Sequence, residues 1–185
     1  MREIFVNGRF LCRKPTGVDR YAIGVLRGID QLLDEQDSAV KGQIWTVLTP
    51  SAVELPADIK HIKSQKIGPL QGSAWEQLTL PTFTRGHLLI NLCNAAPIIK
   101  KKQVVVIHDA TTVQIPQAFS KNFVRWYNFM IPLLLKRSQA IATVSSFSKT
   151  EIVKSYGIAR KITVVKEGAD HFENIDADDK VLEKN

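Results

Sequence analysis

Cysteine is scarce in this chain of 185 residues: Cys12 and Cys93 are its only two, far apart and in no metal-ligand spacing. That count excludes a small disulfide-stapled scaffold, and it suits a reducing compartment. No apolar run approaches the roughly 20 residues that a bilayer-spanning helix requires, and the stretch from Met1 to Gly8 has no long apolar signal core. A soluble, cytoplasmic protein is expected. Also missing are Gly-x-Ser-x-Gly, His-Glu-x-x-His and Gly-Lys-Ser/Thr, so a nucleophile elbow, a zinc site and a P-loop fall away, and no metal is expected. The Gly-x-Gly-x-x-Gly fingerprint of dinucleotide binding is missing too, since one glycine, Gly17, stands near the start of the first helical segment.

Acids are outnumbered by bases, 18 to 25, for a net charge of +7, and 44% of the residues are hydrophobic. Residues 173–185 carry five acids and two bases, which leaves residues 1–172 at +10. The length and apolar content suit one domain with a real core. Its basic field suits nucleic acid, anionic lipid or phosphorylated small molecules, and charge does not choose among them. Lys100, Lys101 and Lys102 form the densest run, read either as a solvated loop between strands or as part of a docking surface.

Short β-branched apolar runs alternate with segments of helical period, the pattern of a mostly parallel sheet covered by helices. Strands are predicted at Ile4 to Val6, Ile44 to Leu48, Leu88 to Leu92, Val104 to Ile107, Ala140 to Val144 and Ile162 to Val165, and a weaker edge strand at Ile59 to Ile67. Val18, Tyr21, Ala22, Val25, Leu26, Ile29, Leu32 and Leu33 recur at helical spacing. Ser73-Ala-Trp-Glu76 and Ser148-Lys-Thr-Glu151 have capping-box spacing, Pro81 is expected to limit the first of these helices, and Gly157 suits a C-terminal cap. Ser120 opens a long helix with a wide aromatic stripe over Phe123, Trp126 and Tyr127, and Pro132 lies within it. The prediction is a Rossmann-like three-layer α/β/α domain over residues 1–172, followed by a linker or tail over residues 173–185.

In such a sheet ligands gather beyond the carboxyl ends of the strands, which singles out particular loops. Gly17 and Arg20 sit where helix-start amides could meet a phosphate, although a plain tight turn explains one glycine equally well. Asn91 and Asn94 follow a buried strand, as sugar-binding groups or as ordinary turn residues bonded to their own backbone. His108 and Asp109 end another strand: the imidazole can exchange hydrogen bonds with a sugar hydroxyl, and the carboxylate can fix its tautomer or bind a hydroxyl itself. Ser145 and Ser146 end a third, either as ligand contacts or as helix caps. The aromatics fall mostly on helix faces that a core would claim, which counts against a nucleic-acid surface.

Taken in order, Asn7-Gly8-Arg9-Phe10, Thr16-Gly17-Val18-Asp19-Arg20-Tyr21, Val106-Ile107-His108-Asp109, Thr143-Val144-Ser145-Ser146-Phe147-Ser148 and Ile162-Thr163-Val164-Val165 leading to Gly168-Ala169-Asp170 resemble one family. It is the group 1, or family 4, glycosyltransferases of the GT-B fold, and the likeness covers nearly residues 1–172. The resemblance implies the N-terminal, acceptor-side half of a retaining hexosyltransferase of polysaccharide biosynthesis. By that reading a missing C-terminal domain holds the nucleotide-sugar donor, and the piece is inactive alone. It implies that the Gly17 loop approaches the donor diphosphate, that Arg20 positions an acceptor or a phosphate, that His108 contacts the transferred sugar, and that Ser145 and Ser146 line the floor. No cofactor is implied within this domain. A glycan or lipid-linked acceptor is the expected partner, with peripheral contact at the inner face of a membrane and no nucleic acid. The family's Asn before Gly168 is Glu167 here, and its paired glutamates eight positions apart are absent. Two other readings stay open, a basic nucleic-acid-binding module and half of a nucleotide-sugar epimerase.

Overall fold

Strict alternation along the strands decides how the chain layers itself. In the computed structural model, which describes residues 1–158 and 160–166, Val6, Val47, Val106 and Ala142 share one core cluster with Ala22 and Leu26 of the first helix. Their chain neighbours face the other way: Phe5 and Leu48 pack with Trp75 and Leu80, and Val105 and Ile141 pack with Met130, Leu134 and Ile152. Successive strand side chains point to opposite faces, so strands with both sets apolar must be covered on both sides. The three-layer α/β/α domain follows.

Among the described residues the sheet has seven strands, ordered β3-β2-β1-β4-β5-β6-β7. They are β1 (Arg2–Asn7), β2 (Gln43–Thr49), β3 (Lys63–Lys66), β4 (Leu88–Asn91), β5 (Gln103–Val106), β6 (Ala140–Thr143) and β7 (Thr163–Val164). Every pairing is parallel, including Val6 opposite both Val47 and Ile90. The order reverses between β1 and β4, where two adjacent strands send their chains away in opposite directions and open a crevice. Gly8 turns the chain there: its amide donates to the Leu48 carbonyl at 2.8 Å, and a Cβ would stand 2.4 Å from Val47 Cγ1.

The helices are α1 (Gly17–Asp34), α2 (Gly72–Ala74), α3 (Leu80–Phe83), α4 (Thr111–Gln114), α5 (Lys121–Arg137) and α6 (Ser146–Tyr156), with a π-helical segment, Trp75–Thr79, joining α2 to α3. Ser120 accepts from the Phe123 amide to open α5, and Gly157, at φ 62°, closes α6 in the left-handed conformation, both as their residue types predict. Neither predicted capping box forms. Gln71 stands at the start of α2, while Glu76 turns inward on the π segment; α6 starts at Ser146, capped by Ser145, and Glu151 instead accepts from Gln114. The helix ends at Phe83, two residues past Pro81, in keeping with the limit expected there.

Other differences trace to tertiary contacts. The edge strand shrinks to Lys63–Lys66, because the chain before it is held by Asp30, whose carboxylate accepts from the amides of Lys60, His61 and Ile62 at 2.9, 2.7 and 3.0 Å. The lysine run is no uniform solvated loop. Lys100 is buried and donates to the Thr84 carbonyl, and Lys102 donates to Gly86, both at 2.7 Å just beyond α3, where carbonyls lack helical partners. The aromatic stripe of α5 is core only in part: Trp126 and Tyr127 are half-buried and pack against the cluster that holds Met130, Ile131, Leu134 and Leu135, whereas Phe123 is exposed. Glu167, the Gly168-Ala169-Asp170 segment and the expected tail over 173–185 lie outside the described residues.

Candidate functional site

The carboxyl ends of β1, β4, β5 and β6 bring most of the sequence-predicted residues to one edge of the sheet. His108 follows β5 and is buried, 6% exposed. Its Nε2 lies 2.8 Å from the Leu92 carbonyl oxygen, its backbone amide donates to Asn94 Oδ1 at 2.6 Å, and its ring meets that of Tyr21 edge-on with centroids 4.9 Å apart. A carbonyl can only accept, so Nε2 carries the proton, and Nδ1 is the acceptor of the neutral ring. Two elements therefore orient this imidazole: α1 through Tyr21, and the loop after β4 through Leu92 and Asn94.

Asp109 does not set that tautomer. Its Oδ1 accepts from the Thr111 amide at 2.8 Å and opens α4, while the Leu92 carbonyl does the work the carboxylate was expected to do. Asn94 holds a left-handed backbone, φ 59°, and accepts from His108, so it shapes the turn. Asn91 is fully buried. Its amide donates to Gln103 Oε1 at 3.1 Å and to the Val104 carbonyl, and its Oδ1 accepts from Asn7. Asn91 is thus the last residue of β4 and not a turn residue bonded to its own backbone: its partners lie on other strands.

Gly17 and Arg20 are exposed at the start of α1. The loop before them is fixed by Asp19, which is 1% exposed and accepts from Arg13 at 2.7 Å and from the amide and hydroxyl of Thr16 at 2.8 and 2.7 Å. Burial pushes the Asp19 carboxyl up, but the hydrogen bonds from Arg13 and Thr16 and the Arg13 charge outweigh it, leaving its pKa below the ordinary value. A Cβ on Gly17 would meet nothing within 4 Å. Packing does not require glycine there. Ser145 is half-buried and its hydroxyl accepts from the Ser148 amide at 2.9 Å, so it caps α6, while Ser146 is exposed.

A cluster that the sequence reading did not identify lies beneath this edge. Asn7, the last residue of β1, donates through Nδ2 to Glu76 Oε1 at 2.8 Å and to Asn91 Oδ1 at 3.1 Å, and Arg9 Nε stands 3.4 Å from Glu76 Oε1. The chain of amides continues through Gln103 to the Pro97 carbonyl and the Ser138 hydroxyl, crossing under β1, β4 and β5. Such networks rigidify a site when each member has its partner. One sequence signal pointed here: Glu76 and Leu80 lie one turn apart, next to Trp75, on the apolar side of the helix. Cys93, packed near the Val18 carbonyl, has its thiol pushed well up by burial and by Asp19, so it stays neutral.

Among the described residues no group of three or more His, Cys, Asp and Glu is arranged to hold a metal ion, and no helix is long and apolar enough to cross a membrane. No protein-family model matches the chain. It is 25% identical over 171 residues to the O-antigen chain mannosyltransferase RfbU of Salmonella typhimurium, a match covering 88% of this chain and 48% of that protein. The crystal structure of Anabaena Alr3699/HepE in complex with UDP and glucose superposes with a TM-score of 0.54 at 15% identity, covering 91% of this chain and 45% of that one. The chain thus spans about half the length of each relative. The sequence likeness is to a glycosyltransferase, and the fold is that of one α/β half of a GT-B glycosyltransferase.

Proposed function

We propose that this chain is the acceptor-side domain of a retaining glycosyltransferase, which moves a sugar from a nucleotide-sugar to a glycan or lipid-linked acceptor in a cleft shared with a second, donor-binding domain. The observation that carries the reading is the fixed imidazole of His108, held by Leu92, Asn94 and Tyr21 beside the crevice where the strand order reverses. Leaving-group departure from a nucleotide-sugar builds positive charge on the sugar and negative charge on the diphosphate. Groups oriented before the reaction stabilise such charge without reorganising. In this reading His108 contacts the transferred sugar, the first amides of α1 and the open space at Gly17 receive the diphosphate, and Arg20 lies close to that anion. Ser145 and Ser146 line the floor, Asp109 holds the loop after His108, and the basic surface lies at the inner face of a membrane when the acceptor is lipid-linked.

Two substitutions in an enzyme containing both domains test the reading. His108→Ala is expected to lower kcat about 10²-fold with a smaller change in KM, the size of losing one preorganised polar contact. Gly17→Ala, which meets no neighbour in the folded domain, is expected to leave thermal stability intact and raise KM for the nucleotide-sugar. NMR of the product at the anomeric carbon checks retention: inverted stereochemistry would sink that part. Transfer unaffected by either substitution would sink the site.

A further inference from the structure

Glu76 is too deeply buried to be an incidental surface acid, and among the described residues half of its carboxylate has no hydrogen bond. The residue is 1% exposed, and Oε1 is occupied by Asn7 and the nearby Arg9. Oε2 is buried and, among the described residues, takes part in no hydrogen bond. An unsatisfied buried acceptor costs roughly 1–3 kcal/mol, and native proteins seldom keep one without a use. Burial lifts the Glu76 carboxyl above its ordinary value, against the Arg9 charge, the Asn7 hydrogen bond and the Arg13 charge, which all pull it down. A glutamine could accept from Asn7 as well and would carry no buried charge.

Glu76 lines a small pocket with Asn7, Arg9, Arg13, Leu92 and Cys93. Its volume of about 10 Å³ is room for roughly one water-sized group. Leu92 ties the pocket to the site above, because its carbonyl is the one that orients His108. The acid also rides on the π-helical segment, a distortion common at functional sites.

The pocket's chemistry selects its occupant. An anion would meet the Glu76 carboxyl group, and a cation would meet Arg9 and Arg13, so both are disfavoured. A neutral group that donates to the Glu76 carboxylate and accepts from a guanidinium fits, and at this size that group is a water molecule or a single hydroxyl. The geometry points to a subsite in which Glu76, flanked by Arg9 and Arg13, takes one hydroxyl of a carbohydrate ligand that also reaches His108. The identity of the ligand rests on the sugar-transfer reading; the pocket and its unpaired oxygen do not.

The test uses this chain and a panel of methyl hexopyranosides with their monodeoxy analogues, titrated by NMR, against Glu76→Gln and Glu76→Leu. In the parent chain one pyranoside binds with shifts at the Asn7 and Arg9 amides, and removing one particular hydroxyl weakens it at least tenfold. In both variants affinity falls at least tenfold and no longer depends on that hydroxyl. Glu76→Leu also strands the Asn7 amide and loses stability for that reason, so the decisive variant is Glu76→Gln, which keeps an acceptor for Asn7: it folds as the parent does and loses the hydroxyl dependence, and if it keeps that dependence the ligand role is overturned. Parent-like binding in both variants overturns the subsite alone. So does a sugar-bound structure in which a water bridges Glu76 and Arg13. Failure of every pyranoside to bind the parent chain overturns the sugar-transfer reading, and the subsite with it.

Discussion

Asp30 and Glu76 are both buried acids on helices that pack against the same sheet, yet their surroundings are opposite. Asp30, near the end of α1, receives three consecutive backbone amides, from Lys60, His61 and Ile62. Burial alone would raise its pKa, but those amides and nearby His61 outweigh it and hold the carboxyl below its ordinary value. Glu76, on the π segment, has one oxygen satisfied and one not, and burial wins. A complete set of donors marks an acid that holds the fold together. An incomplete set, at the carboxyl edge of the sheet, is what the proposed subsite uses.

The largest expected effect would break or establish the first half of that contrast. Asp30→Ala strips the acceptor from three amides at once and should cost about 3 kcal/mol or more by chemical denaturation, given roughly 1 kcal/mol or more per stranded buried donor. A loss under about 1 kcal/mol would mean that water takes over the amides and that the satisfied acid is dispensable.

A smaller effect should appear in the pH dependence, where the two acids pull in opposite directions. Asp30 has a lowered folded-state pKa, so its stabilisation is present above the unfolded value near 4 and is lost as pH falls through the folded value. Glu76 has a raised folded-state pKa, so stability falls as pH rises from the unfolded value, about 4.3, through the folded one. Stability curves of Asp30→Asn and Glu76→Gln between pH 2 and 8, each subtracted from the parent, should therefore slope in opposite senses. Parallel difference curves would erase the distinction.

The smallest effect concerns Ser145, which lies at the same edge as Glu76 but is satisfied like Asp30. Ser145→Ala removes the cap on the Ser148 amide and should cost about 1 kcal/mol in thermal or denaturant unfolding. A negligible cost would move Ser145 from the capping role toward ligand contact.

The misreading of Glu76 shows where sequence reasoning stops. Its spacing from Ser73 suits a capping box, and only its place beside Trp75 and one turn from Leu80 speaks against that. The decisive partner, Asn7, is 69 residues away and meets Glu76 only because β1 ends where the π segment crosses it. Asp30 was invisible for the same reason, since its amides come from a loop some 30 residues on. Lys100 was placed in a loop correctly, but the carbonyl that draws its amine inward belongs to Thr84. The positions of His108 after β5 and Gly17 at the start of α1, by contrast, are legible, because a polar group directly after a buried strand and a glycine before a helix are features of a few neighbouring residues.

What the sequence by itself determined is the periodic part: the alternating apolar runs that become parallel strands, the helical spacing of α1, the cap at Ser120, the left-handed stop at Gly157, and hence which loops reach the carboxyl edge. These follow from local geometry, two-residue and 3.6-residue repeats and single-residue backbone preferences. Only the tertiary structure decided which buried polar groups are satisfied, which nitrogen of His108 carries its proton, and that Glu76 faces a pocket. Those outcomes depend on distant backbone carbonyls, amides and side chains meeting at a few ångströms, and no local spacing encodes where they meet.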